Sequence, residues 1–273
     1  MNRRKFISYM GCGCGSLLLN QCTTAPITGR RQLSVYPEGL ANKHAAQYYN
    51  NFKSKNKLKK SGKELDDVTE IAEKIIKAIN IYFRRENLPN PTKLFQWEYI
   101  VVDDDKILNA WCAAGGKIAV FTGIYKLAEN KNELSIIMGH EIAHAVAKHT
   151  IEKQSAVMSV HYGSAIADIF LGGVISRTRN TVGNTTGIDI FRTGLLDPFS
   201  RKMESEADYL GLIFSSLAGY DIRTATSFWE KMKEKNKGKE PPQFLSTHPS
   251  SKKRIENLKN WTPEIILKYP PIS

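Results

Sequence analysis

The sequence predicts an α+β fold, mostly helical, with a small β-sheet beside one strongly apolar helix. Apolar residues recur at helical spacing over 61–87, 133–150 and 198–217, whereas 93–122 alternates and concentrates Phe, Trp, Tyr, Ile and Val in short runs. A chain of 273 residues, 41% hydrophobic and 24% charged, can bury a core without staples. A mean hydropathy of -0.35 argues against several membrane spans.

The elements follow in order. Residues 1–21 read as an export signal: Arg3, Arg4, Lys5, Phe6 and Ile7 form a twin-arginine start, and Leu17-Leu18-Leu19 leads to Cys22, a candidate lipid acceptor. Asn20 and Gln21 are bulkier than the small residues such a cleavage site favours. Pro26, Gly29, Pro37 and Gly39 make 22–40 an extended arm, and 41–273 is the folded domain. Positions 40–58 form a first helix. Ser61 with Glu64 resembles a capping box for a second, which carries Leu65, Val68, Ile71, Ala72, Ile75, Ile76 and Ile79 on one face and stops before Pro89. Strands follow at 93–102, 107–113 and 117–122, the last two joined through Gly115-Gly116. Gly123 and Asn132 bracket a short helical piece before one long helix over 133–150. Residues 155–175 are apolar but interrupted by His161, Asp168 and glycines, which suits a buried or cleft-covering helix better than a span. A loop over 177–197, a helix over 198–217, a helix capped by Asp221, a break at Pro241-Pro242 and a last helix from Ser250 complete the chain.

The formal charge of +12 invites a nucleic-acid or anionic-surface partner. Loss of residues 1–21 removes three positive charges and leaves +9. No basic-aromatic module accompanies that charge, so nucleic acid is not an expected partner. Cys12 and Cys14 leave with the signal and Cys22 would carry lipid, leaving Cys112 with no disulfide partner.

The chemistry centres on His140-Glu141-Ile142-Ala143-His144, an H-E-x-x-H pattern within an unbroken apolar helix. Residues four apart lie one turn above each other, so both imidazoles can reach one zinc. Glu141, about 100° round the helix, stands where a general base is needed. Zinc lowers the pKa of a bound water toward about 7, and Glu141 can take the proton and pass it to a leaving amine. A third ligand is required. His149, about 140° round from His144 on a continuous helix, cannot easily reach the same ion. A further glycine and histidine at 147 and 150 would mark a metzincin, but Ala147 and Thr150 stand there. The acidic cluster Glu204-Ser205-Glu206-Ala207-Asp208 lies on another apolar helix; Glu204 and Asp208 share a face, so one can bind metal while the other supports a histidine.

With these residues the chain resembles the zinc metallopeptidases related to the CAAX prenyl protease and the bacterial HtpX, BepA and LoiP proteins. The likeness spans most of the chain after residue 21. It rests on Pro26-Ile27-Thr28-Gly29-Arg30, Asn109-Ala110 with Gly115-Gly116, H-E-x-x-H, Glu204-x-Glu206-Ala207-Asp208, and Ser246-Thr247-His248-Pro249 with Arg254-Ile255, in that order. The resemblance implies a gluzincin-type zincin fold, one Zn2+ held by His140, His144 and Glu204, Asp208 orienting a histidine ligand, and Glu206 as an ordinary solvated acid. It places His248 near the metal as an oxyanion donor or an inhibitory fourth ligand. Arg254 either adds positive charge there or caps the last helix. Asn109, Ala110 and Gly116 mark the strands, 109–113 or 117–122, whose edge an extended, unfolded substrate would join. Neither several membrane spans nor a following repeat domain is expected, which makes a compact LoiP-like exported lipoprotein protease of misfolded envelope proteins the nearer likeness. It would be tethered to the periplasmic side of a membrane by its N-terminus. The alternative is an envelope chaperone or assembly factor with a silent or His248-locked zinc site.

Overall fold

The computed structural model describes residues 22–170, 199–235, 243–248 and 251–272. The export signal, the loop over 177–197, the Pro241-Pro242 break and Ser250 lie outside the described residues. The stretch 22–40, expected as an extended arm, instead folds back on itself. Strand β1 (Cys22–Thr24) pairs antiparallel with β2 (Arg31–Leu33). Gly29, at φ 66°, closes the connection, and Ala25 N–H donates to the Arg30 carbonyl at 2.7 Å. Helix α1 (Glu38–Lys55) then starts earlier than its sequence signal.

Helix α2 (Lys63–Arg85) buries the predicted stripe, with Val68, Ile71, Ala72, Ile75, Ala78, Ile79, Tyr82 and Phe83 all inside. Its N-cap is Gly62, with no side-chain cap, so the Ser61 capping box does not form. It ends before Pro89 through Asn87 at φ 51°: Leu88 N–H donates to the Phe83 carbonyl and Asn87 N–H to that of Arg84, the paired bonds of a Schellman ending.

Strands β3 (Glu98–Val102), β4 (Ala110–Ala113) and β5 (Lys117–Phe121) form one sheet in the order β3-β5-β4, with β3 parallel and β4 antiparallel to β5. Period-two alternation sends Val101, Cys112, Ile118 and Val120 into the main core. Val102, Trp111, Ala119 and Phe121 meet α1 on the other face, where Phe52 sets its ring edge-on to Trp111. Because β5 is central, it presents no free edge; the edges of this sheet are β4 and β3, and β3 is bridged at Val102 by Leu58. Cys112 is buried and free.

Helix α3 (Lys131–Val146) is capped by Asn130, whose side chain accepts from Glu133 N–H, rather than by Asn132. The expected single helix to Thr150 is broken: Lys148 takes φ 59° and α4 (His149–Phe170) sets off after it. No described helix is long and apolar enough to cross a membrane. Helix α5 (Arg201–Leu217) is capped by Ser200. Helices α6 (Thr224–Lys235), α7 (Gln243–Thr247) and α8 (Lys252–Lys268) complete the described fold, with Ser251 rather than Ser250 capping α8.

Helices α3 and α5 cross where glycine meets glycine. A Cβ on Gly139 would lie 2.6 Å from Ser215 Oγ and 2.9 Å from the Gly211 carbonyl oxygen; one on Gly211 would lie 2.8 Å from the His140 nitrogen. The missing side chains let the two candidate metal-binding segments approach. Gly211→Ala is therefore expected to force the helices apart and cost about 1–3 kcal/mol, read as a lower midpoint in urea unfolding; an unchanged midpoint would contradict tight packing here.

Candidate metal centre

Three elements converge. Helix α3 delivers His140, Glu141 and His144, α5 delivers Glu204 and Asp208, and the end of α7 delivers His248, all buried. His248 N–H donates to the Phe244 carbonyl, and Phe244, fully buried, anchors α7. Among the described residues His140, His144, Glu204 and His248 form one potential metal-binding group, with ligand atoms within 4.8 Å of one another. The Nε2 atoms of His140 and His144 are 3.0 Å apart. Glu204 Oε1 lies 3.4 Å from His144 Nε2 and 2.9 Å from His248 Nδ1, and Oε2 lies 3.6 Å from His140 Nε2. Two ligands at roughly 2.0–2.1 Å from one tetrahedral zinc stand about 3.4 Å apart, so these spacings fit.

The surrounding bonds fit as well. His140 Nδ1 faces Asp208 Oδ1 at 3.0 Å, and His144 Nδ1 faces His149 Nδ1 at 2.8 Å. With both Nδ1 positions engaged, the Nε2 lone pairs converge with a carboxylate on one buried point, an arrangement a cation completes. Burial, with help from the Arg254 charge, lowers the His140 pKa to about 4; burial also holds His144 well below its usual range. Both rings are thus neutral. Burial opposes ionisation of Glu204, but the charges of Arg254 and then His248 outweigh it and hold the carboxyl well below its usual range. Arg254 Nη1 lies 2.8 Å from Glu204 Oε2, an ion pair without hydrogen-bond alignment.

Glu141 stands beside this group. Its Oε1, 3.3 Å from His248 Nε2, is buried without a hydrogen bond. Burial raises its pKa to about 7, against the pull of His248. A carboxyl poised there can accept and return a proton at neutral pH.

A model of peptidase family M48 matches residues 66–262. The chain belongs to peptidase family M48. The mitochondrial metalloendopeptidase OMA1 of Schizosaccharomyces pombe is 40% identical over 177 residues, 63% of this chain and 49% of its own length. The human mitochondrial metalloendopeptidase OMA1 is 32% identical over 183 residues, 64% of this chain and 35% of its own. The beta-barrel assembly-enhancing protease of Escherichia coli is 25% identical over 168 residues, 60% of this chain and 34% of its own. The chain therefore spans about a third to a half of the length of these relatives.

Zinc is the metal of this M48 peptidase fold, and His140, His144 and Glu204, with His248 beside them, are the side chains that can hold it. Asp208 stands against His140 of the group. Arg254 does not cap α8; its own N–H is capped by Ser251. Its guanidinium, buried over the Trp229 ring at 3.6 Å, donates to Asp208 through Nε at 2.5 Å and Nη2 at 2.7 Å. Asn109 and Ala110 adjoin the β4 edge, with Asn109 Oδ1 accepting from Ala110 N–H, whereas Gly116 lies in the β4–β5 turn beneath Trp97.

Two neighbours of the M48 site escape a sequence reading. Glu206, expected to be a solvated acid, is buried and accepts from Arg30 Nε at 2.7 Å and from the Thr28 hydroxyl. Burial opposes its ionisation, but bonds from His149, Thr28 and Arg30 bring its pKa to about 2. His149 packs behind His144 because the break at Lys148 turns it back. The readable signal was Glu206 itself, an acid about 200° round α5 from Glu204 on a helix with apolar residues on every side.

Proposed function

We propose that the protein is a zinc-dependent endopeptidase acting on unfolded or misfolded membrane-associated proteins. The observation that carries this reading is the buried group of His140, His144 and Glu204 with Glu141 poised beside it. When bound, zinc polarises a peptide carbonyl and makes water nucleophilic near neutral pH. Glu141 takes the proton and returns it to the leaving amine. Asp208 keeps His140 in the tautomer that leaves Nε2 free. An extended peptide joins the β4 edge near Asn109 and Ala110, a mode open to chains without fixed structure. The twin-arginine start and Cys22 support export and a lipid tether of the LoiP-like kind. A relative named for β-barrel assembly supports envelope substrates.

One observation favours a second state. His248 Nδ1 lies 3.1 Å from His140 Nε2, among the ligand atoms, while Nε2 faces Glu141. That is the placement of a fourth ligand closing the position a substrate needs. His248 alternates between this resting contact and donation to the oxyanion. The test compares the zinc-loaded parent with His248→Ala on unfolded casein, with zinc content measured in both. Parent cleavage abolished by a chelator and restored by zinc, with altered turnover and retained zinc in the variant, is the expected result. A zinc-loaded parent that prevents aggregation without cutting points instead to the chaperone reading. Loss of zinc in His248→Ala would make the histidine an obligatory ligand.

A further inference from the structure

Behind His144, on the side away from the metal group, runs a buried chain of polar contacts that peptide hydrolysis does not explain. His144 Nδ1 meets His149 Nδ1 at 2.8 Å, and His149 Nε2 meets Glu206 Oε2 at 3.1 Å. Glu206 is held in turn by the Thr28 hydroxyl and by Arg30 Nε, while Arg30 grips Glu152 through Nη1 at 2.9 Å and Nη2 at 2.6 Å. His149 is fully buried. The ring of Phe199 stacks on His144 with centroids 4.0 Å apart.

The direction of the chain starts from one fact: a carboxylate only accepts. Facing Glu206, His149 Nε2 must carry the proton and donate. With zinc held through His144 Nε2, the proton of that ring sits on Nδ1, and across the 2.8 Å contact it leaves His149 Nδ1 as the acceptor. The Nε2 lone pair of His144 is then aimed at the metal group. We propose that His149 and Glu206 are positioning residues that fix the tautomer and ring plane of the zinc ligand His144, with Thr28 and Arg30 holding the Glu206 carboxylate in place. His140 Nδ1 meets Asp208 Oδ1 at 3.0 Å and Arg254 Nη2 at 3.2 Å, whereas His144 is set through a second imidazole whose anchor lies in the β1–β2 connection. The inference rests on zinc being bound through His140, His144 and Glu204.

The test is zinc affinity of the full-length chain, measured by competition with dipicolinate, with circular dichroism reporting the fold. His149→Phe keeps the ring volume but removes the acceptor, and is expected to raise the zinc Kd about 10–100-fold. His149→Asn places Oδ1 where Nδ1 stood and is expected to recover most of that loss. A parent that binds no zinc would overturn the metal-site reading and this inference together. A parent that binds one zinc, with a folded His149→Phe of equal affinity, would overturn only the inference. So would His149→Asn as weak as His149→Phe, since the acceptor would then not matter. Should His149→Phe not fold, 1H–15N spectra of the zinc-loaded parent decide: a proton on His149 Nε2 and none on Nδ1 supports the relay, and a proton on Nδ1 overturns it.

Discussion

Glu141→Gln is expected to keep one zinc and the parent's melting behaviour while losing about 10²–10⁴-fold in turnover of unfolded casein. The substitution changes almost nothing but proton chemistry. Glutamine matches the volume and shape of the carboxyl, and the side chain sits in a pocket only 4% exposed, so there is little room for a new conformer. Fold and metal should not suffer, because Glu141 is not among the four residues whose ligand atoms cluster. The amide cannot take a proton from water or hand one to an amine. The carboxyl is tuned for both: burial brings its pKa to about 7, so accepting and releasing a proton are nearly balanced at neutral pH. Two measurements decide, metal content by atomic absorption and the rate of peptide release. Equal turnover in the two proteins would remove Glu141 from the mechanism, and loss of zinc in the variant would assign it a role in holding the metal.

The parts of this site legible in the sequence are those fixed by a helical repeat. His140, Glu141 and His144 follow from spacing on one uninterrupted apolar helix; Glu204 and Asp208 stand out by being one turn apart on another, but which of them binds metal, and the place of His248, came only from the family resemblance. What spacing cannot show is how separate segments close around them. The turn at Lys148 is a positive φ on a residue with no special sequence mark, and it reverses the meaning of His149 from a stray histidine to a contact of His144. Glu206 looked solvated because acids on helices usually are; its burial depends on Arg30, 176 positions away in sequence. The arm over 22–40 read as extended because its prolines and glycines lack periodicity, yet the ion pairs from Arg30 lay it against the body. The sheet shows the same division. Alternation located its strands, but the order β3-β5-β4, which makes β5 central and β4 an edge, depends on a parallel pairing that a local pattern does not encode.

Arg254→Met should destabilise the metal-free protein by about 3–5 kcal/mol, with much of the loss recovered on adding zinc. Arg254 is the only cationic side chain within ion-pair distance of both Asp208 and Glu204 among the described residues. Methionine fills comparable space over Trp229 but takes from buried Asp208 both guanidinium bonds and from buried Glu204 one of its charge partners. Removing one partner of such a cluster is costly because the remaining charges have already lost their hydration. Zinc at His140, His144 and Glu204 returns positive charge to the same acids, and without the guanidinium it meets less repulsion. The folded state then gains more from a given free zinc concentration than the parent does. Urea unfolding of both proteins, metal-free and at matched free zinc, separates the effects: the midpoints should stand well apart without metal and move together with it. Equal midpoints in the metal-free proteins would show that the guanidinium contacts with Asp208 and Glu204 add nothing to stability there. A gap that zinc leaves unchanged would show that Arg254 stabilises the crossing of α5 and α8 by packing rather than by charge.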